Sequence, residues 1–188
     1  MKIELGAQNC LYPMPTTLVG ATVEGGPNFI TIAHVGIMDL GSVSLGMAKA
    51  HYTNAGLKEN GTFSINLPSA DMVKETYYCG LVSGKHVDKA QLFHVFYGNL
   101  KTAPMIAECP ISTECRHIKV VDFPKHDVFI GEIVTTYAED AGAHRRRSRL
   151  WQSAAASLHH DGPELLGAWQ EIRKSLEHRK GVERGEVN

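Results

Sequence analysis

Between Leu18 and Val134 the apolar and β-branched residues come in short runs, each broken within a few positions by glycine, proline, asparagine or a charged turn residue. That spacing limits the folds open to the chain more than any other feature does, because short alternating runs suit strands and long amphipathic helices need apolar residues three and four apart. Leu18–Val23 runs into Glu24-Gly25-Gly26-Pro27-Asn28 and resumes at Phe29–Ala33, which predicts two strands joined by a Gly-Gly hairpin. Val43–Met47, Thr62–Leu67, Ile111–Val121 and Val128–Tyr137 supply four further strands. Thr53–Asn60 reads as a short helix capped by Thr53 and stopped by Gly61. A second helix is expected over Ala70–Cys79, with Ser69 as its cap and Met72, Val73, Thr76 and Tyr77 sharing a face. About six strands with two or three short helices, and no helix between every pair of strands, favour a closed or nearly closed antiparallel barrel over a parallel sheet.

A chain of 188 residues, 43% hydrophobic, can bury one core, so one domain is expected. Its 19 basic and 20 acidic side chains leave a net charge of -1, which offers no electrostatic footprint for nucleic acid or an anionic membrane. The first residues, Met1-Lys2-Ile3-Glu4-Leu5-Gly6, hold neither a signal peptide nor a spanning segment, and a cytoplasmic location is the expectation. Cys10, Cys79, Cys109 and Cys115 form no Cys-x-x-Cys pair, so no metal site is expected, and the thiols read as reduced core or near-core groups.

Three segments carry polar chemistry. In Asn28–His34 the small Ala33 lies beside Thr31 and His34, where a flat ring or a phosphate could approach the main chain. Read alone, the same residues are an ordinary strand with a solvent-facing threonine. Lys49-Ala50-His51-Tyr52-Thr53 stands where a strand ends and a helix begins, so a lysine, a hydroxyl and free amides meet there. The plain alternative is a helix cap beside a solvated lysine. Cys79-Gly80-Leu81-Val82-Ser83-Gly84 followed by Lys85 to Lys89 is a glycine-containing loop that brings a second cation, or else a solvated connection.

Taken in order, Pro13-Met14-Pro15, Leu18-Val19-Gly20, Pro27-Asn28 to His34, Lys49 to Thr53, Gly61 to Asn66, Ser83-Gly84 to Asp88-Lys89, Ala103-Pro104 and Val128 to Ile133 resemble the flavin-reductase-like, FMN-binding split-barrel proteins, flavoredoxin among them. The resemblance covers roughly residues 5 to 140. It implies a mainly β fold, an antiparallel six-stranded split barrel with a few peripheral short helices, which dimerises around non-covalently bound FMN in a domain spanning residues 1–140. Carried over by position, Asn28, Thr31, Ile32, Ala33 and His34 would lie along the flavin. Gly46, Met47, Lys49 and Thr53 would hold its ring edge and phosphate, and Ser83, Gly84, Asp88 and Lys89 would close the other side. Many relatives of that family have Trp where this chain has His34, so the sequence departs from the family pattern there.

The implied activity is that of an FMN-dependent oxidoreductase, with NADH or NADPH as donor; the alternative is a flavoredoxin-type electron-transfer or flavin-binding protein with no turnover of its own. A third class is a cofactor-free binding protein. The chemistry would belong largely to the cofactor, and no acid–base residue is assigned. No Gly-x-Gly-x-x-Gly run is present, so a nicotinamide would have to meet the flavin directly. Partners are then FMN, a nicotinamide or redox protein, and a second copy of the chain; neither nucleic acid nor membrane is expected.

After about Asp140 the strand pattern stops, and Gly142-Ala143-His144-Arg145-Arg146-Arg147-Ser148-Arg149 begins a tail, 141–188, that is atypical of the resembled family. The codons of Leu158 to Trp169, displaced by one base, can spell Phe-Thr-Met-Met-Asp-Arg-Asn-Tyr-Trp-Ala-Leu-Gly, which is similar to that family's usual C-terminal segment. A reading-frame slip near residues 141 to 143 is therefore expected. The alternative is a genuine tail with a helix over 164–179, where Leu165, Trp169, Ile172 and Leu176 share a face.

Overall fold

The computed structural model describes residues 2–11 and 13–138. Thr17–Val23 (β1) and Gly26–Ile32 (β2) pair antiparallel, with Val23 opposite Gly26. The two-residue turn between them places Glu24 at φ 51° and Gly25 at φ 81°. Two successive left-handed residues match the right-handed twist of the flanking strands, so the turn is Glu-Gly and Gly26 already belongs to β2. Val35–Ile37 (β3), Ser42–Ala48 (β4), the helix Thr53–Asn60 (α1) and Thr62–Leu67 (β5) follow. Next come a 3-10 turn at Ala70–Met72, the helix Val73–Leu81 (α2) and a 3-10 turn at Lys89–Leu92. The short pair Val95–Phe96 (β6) and Met105–Ile106 (β7) precedes two long strands, Ile111–Asp122 (β8) and His126–Ala138 (β9).

The main sheet has seven strands in the order β2-β1-β5-β8-β9-β4-β3, and β6-β7 forms a separate pair. The expectation of six strands missed β3, β6 and β7, because runs of two or three residues carry no readable alternation. The opposite edges of the sheet, β2 and β3, are joined in the chain by Ala33 and His34 alone. The sheet therefore curls into a half-barrel whose seam lies at those two residues. Register shifts in β8 at Glu114/Cys115 and His117/Lys119 add to the curl, since a bulge bends its strand and increases the twist.

The core lies on both faces of β1. Val19 and Ala21 join Ile30, Leu45, Met47, Leu57, Phe63 and Phe129 inside the curl, while Leu18 packs with Phe29, Met72, Cys79, Ile106 and Cys109 on the other side. Alternate side chains of one strand point to opposite faces, so α2 and the 103–109 segment must cover the outer face for β1 to be buried throughout.

Both helices occur where the sequence predicts them, but their caps differ. Tyr52, not Thr53, is the N-cap of α1, and the second helix starts as a 3-10 turn at Ala70 with no side-chain bond from Ser69. In α2 the buried residues are Thr76, Tyr78 and Cys79, whereas Val73 is exposed, because the switch from 3-10 to α geometry rotates the expected face. Cys79, Cys109 and Cys115 are buried and in no disulfide, and burial pushes Cys79 and Cys115 up to about 12. Cys10 is exposed, unlike the core or near-core position expected of it.

Candidate functional site

Most of the residues singled out in the sequence fall along β2, from Asn28 to the seam at Ala33 and His34, and on the elements packed against it. On β2 the carboxamide of Asn28 donates from Nδ2 to Thr53 Oγ1 at 2.7 Å, tying that edge of the sheet to the start of α1. Both residues are buried. Thr53 thus spends its hydroxyl on a strand rather than on its own helix, which is why it does not cap. The loop after α2 closes against the same pair. A Cβ at Gly84 would overlap the Asn28 carboxamide and lie 3.1 Å from Tyr52 Cδ1, so only glycine brings the main chain this near. Thr31 donates its hydroxyl to the Thr76 carbonyl of α2, and the Cβ position of Gly80 lies 3.2 Å from Thr31 Cβ.

At the seam His34 is exposed and its carbonyl accepts the Gly46 amide at 2.7 Å. Its ring lies 6.2 Å, centroid to centroid, from that of His126, which opens β9 opposite Ala48. Ala33 is half-buried beside it. Ile32 and Met47 are core side chains, so only their backbone is open to a ligand. Ser83 is exposed and its hydroxyl accepts the Lys85 amide. Asp88 caps the 3-10 turn, accepting the Ala90 amide at 3.0 Å.

The two lysines have different settings. Lys89 is 2% exposed, and its ammonium donates to the carbonyls of Cys79 and Val82, each at 3.1 Å. Two of its three donors are thereby used on the end of α2. Burial lowers its pKa, which the neighbouring Cys79 opposes. Lys49 is exposed and its ammonium is hydrogen-bonded to Asp122, with Asp127 at 4.0 Å. The Asp122 bond holds its pKa above the ordinary value. Lys58 shares Asp127 at 2.7 Å. The cation expected to reach for a phosphate is thus already paired on the rim.

The residue that sequence reasoning passed over is His51. Its backbone closes the β4–α1 turn, donating to Ala48 O at 3.0 Å and accepting the Asn54 amide at 3.1 Å. Its ring nitrogen Nδ1 is buried with no hydrogen-bond partner among the described residues. Burial lowers its pKa, and the charges of His126 and Lys89 lower it further. A histidine two positions after Lys49 in a strand-to-helix turn was the available signal.

Amides, hydroxyls, a buried ammonium and a half-buried imidazole along β2 and the β4–α1 turn suit a planar heterocycle carrying an anionic group. No group of three or more His, Cys, Asp or Glu among the described residues is placed to hold a metal ion. No helix among them is long and apolar enough to cross a membrane.

Comparison with known proteins converges on one family. Residues 9–158 match the family model of the flavin reductase like domain. The structure is similar to that of flavoredoxin from Methanosarcina acetivorans, at 47% identity and a TM-score of 0.73 over 74% of this chain and 76% of that one. Flavoredoxin of Desulfovibrio vulgaris (Miyazaki F) is 32% identical, with a TM-score of 0.68 over 74% and 78% of the two chains. An FMN-binding protein from Thermus thermophilus, 24% identical, shares the fold with a TM-score of 0.66 over 75% and 79%.

Proposed function

The chain belongs to the flavin reductase-like family, and from that premise we propose that it binds FMN non-covalently at the barrel seam and passes electrons through it as an oxidoreductase. The observation that carries the reading is the buried Asn28–Thr53 bond with Gly84 seated on it, which draws β2, α1 and the loop after α2 together at one point. Asn28, Ala33, His34 and the main chain at Ile32, Gly46 and Met47 would line the ring. Thr31 and Gly80 would shape the wall on the α2 side. Thr53, Ser83, Gly84 and Lys89 would hold the polar and anionic end, with Lys49 and Asp88 supporting from the rim.

FMN, when bound, supplies the reversible gain and loss of electrons. The protein orients the ring, excludes water from one side and sets the local charge. The exposure of His34 leaves the seam open to a second reactant, which suits NADH or NADPH meeting the flavin directly. A second copy of the chain completes the proposed assembly as a homodimer.

Titration of the purified protein with FMN, followed by anaerobic addition of each nicotinamide, tests the reading. Bound oxidised-flavin absorption that is bleached by NADH or NADPH is expected. Bound flavin bleached only by a chemical or protein reductant would assign an electron-transfer module instead, and protein that stays colourless with FMN would overturn both.

A further inference from the structure

The β4–α1 turn places three groups able to carry positive charge near one another. His51 feels the charges of His126 and Lys89, and His126 is the cross-strand neighbour of Ala48, the residue whose carbonyl accepts the His51 amide. His34 adds a third imidazole beside His126. The Ser83–Gly84 loop, which starts from the Val82 carbonyl that holds Lys89, packs against Tyr52, the neighbour of His51. The nearby acids are engaged elsewhere: Asp122 with Lys49, and Asp127 with Lys58 and Lys49. Glu24 interacts with Tyr52. A buried polar nitrogen without a partner is costly; once protonated, Nδ1 of His51 is a donor that an anion would complete, and the same anion would offset the positive charge of Lys89 nearby.

We propose that His51 is a proton-linked anion-binding residue of the flavin site, taking up a proton as the phosphate of FMN seats against it. The inference rests on the FMN reading and adds the group that makes binding depend on pH. In the free protein burial, His126 and Lys89 all disfavour the imidazolium. A phosphate dianion reverses that balance, since it cancels the neighbouring charges and accepts a charge-assisted bond from Nδ1–H. Binding must then consume a proton from solution, and affinity must fall as pH rises, by at most about tenfold per pH unit for one proton. Lys49, with its fixed charge already shared by Asp122, cannot produce this dependence.

The test is calorimetric titration of the apoprotein with FMN at pH 7.5 in two buffers of different ionisation heat, where the FMN phosphate is itself almost fully dianionic. Net proton uptake is expected for the unaltered chain, none for His51→Gln, and none for His51→Arg, whose permanent charge should keep FMN affinity high and flat with pH. Because the turn bonds of His51 are made by its backbone, both variants should fold, and circular dichroism verifies this. Riboflavin, which lacks the phosphate, should bind without proton uptake, and inorganic phosphate should bind more weakly than FMN but with uptake. FMN binding without proton uptake, or with uptake undiminished in His51→Gln, overturns this inference alone. Failure of both FMN and riboflavin to bind overturns the flavin reading and this inference with it.

Discussion

At the scale of the residue, the site is built from side chains whose roles were fixed by their neighbours rather than by their type. Lys49 and Lys89 look alike in the sequence, yet one is paired with carboxylates on the rim and the other is sunk against two carbonyls. Thr53 looks like a helix cap and instead serves Asn28. His51 has a consequence for the apoprotein. Its pKa is lowered in the folded state from about 6.5, so below that pH the unfolded chain binds a proton that the folded chain resists. Stability therefore falls as pH drops below about 6.5 through the folded-state value, and is fully present above it. Urea midpoints of the apoprotein between pH 7.5 and 5 should decline, and His51→Gln should flatten the slope. Parallel slopes for the two would place the acid sensitivity in other groups.

At the scale of the element, the outer wall of the barrel depends on one buried acid. Glu114 of β8 is fully buried, and its carboxylate accepts the amides of Asn99 at 3.0 Å and Leu100 at 2.7 Å and the hydroxyl of Tyr137 at 3.0 Å. Burial pushes its carboxyl up, but the bonds to Leu100, Asn99, Tyr137 and Thr135 outweigh that and leave it below the ordinary value. The anion is thus the form that holds the 97–104 segment onto β8 and β9. From that segment the Pro104 carbonyl accepts the Ser64 hydroxyl over β1. Glu114→Gln replaces an acceptor pair with a half-donor amide, so at least one backbone N–H loses its partner, at a cost of about 1–3 kcal/mol. Denaturant unfolding should show a loss of that size, and an unchanged midpoint would deny Glu114 this role. The runs that became β1, β2, β4, β5, β8 and β9 were readable from alternation and turn residues, and Gly61 does end α1 in the left-handed conformation expected of a stop. The 3-10 start of the second helix and the two- and three-residue strands were not readable, because their geometry is imposed by packing on the sheet.

At the scale of the whole molecule, the expected tail, with its frame slip and its helix over 164–179, lies outside the described residues. The slip remains a proposal drawn from the codons. Resequencing across codon 140 should reveal an inserted or missing base, and an uninterrupted frame would remove the idea. If the slip is carried in the protein, a chain with the frame restored should retain FMN more tightly and form the proposed dimer more completely by light scattering; equal affinity and equal mass would refute any such contribution. The curled sheet and the segments proposed to form the site follow from features that sequence carries: periodicity, turn chemistry and an ordered set of family-like segments, all local in the chain. What needed the tertiary structure was which partner each polar group meets. Whether a lysine faces a phosphate, an aspartate or a carbonyl is decided by how the chain folds back on itself: Asp122 reaches Lys49 from the end of β8, and Lys89 turns back onto the carbonyl of Cys79 at the end of the helix before it. The orphaned nitrogen of His51 belongs to that second class, because burial and the company of His126 and Lys89 exist only once the sheet has curled.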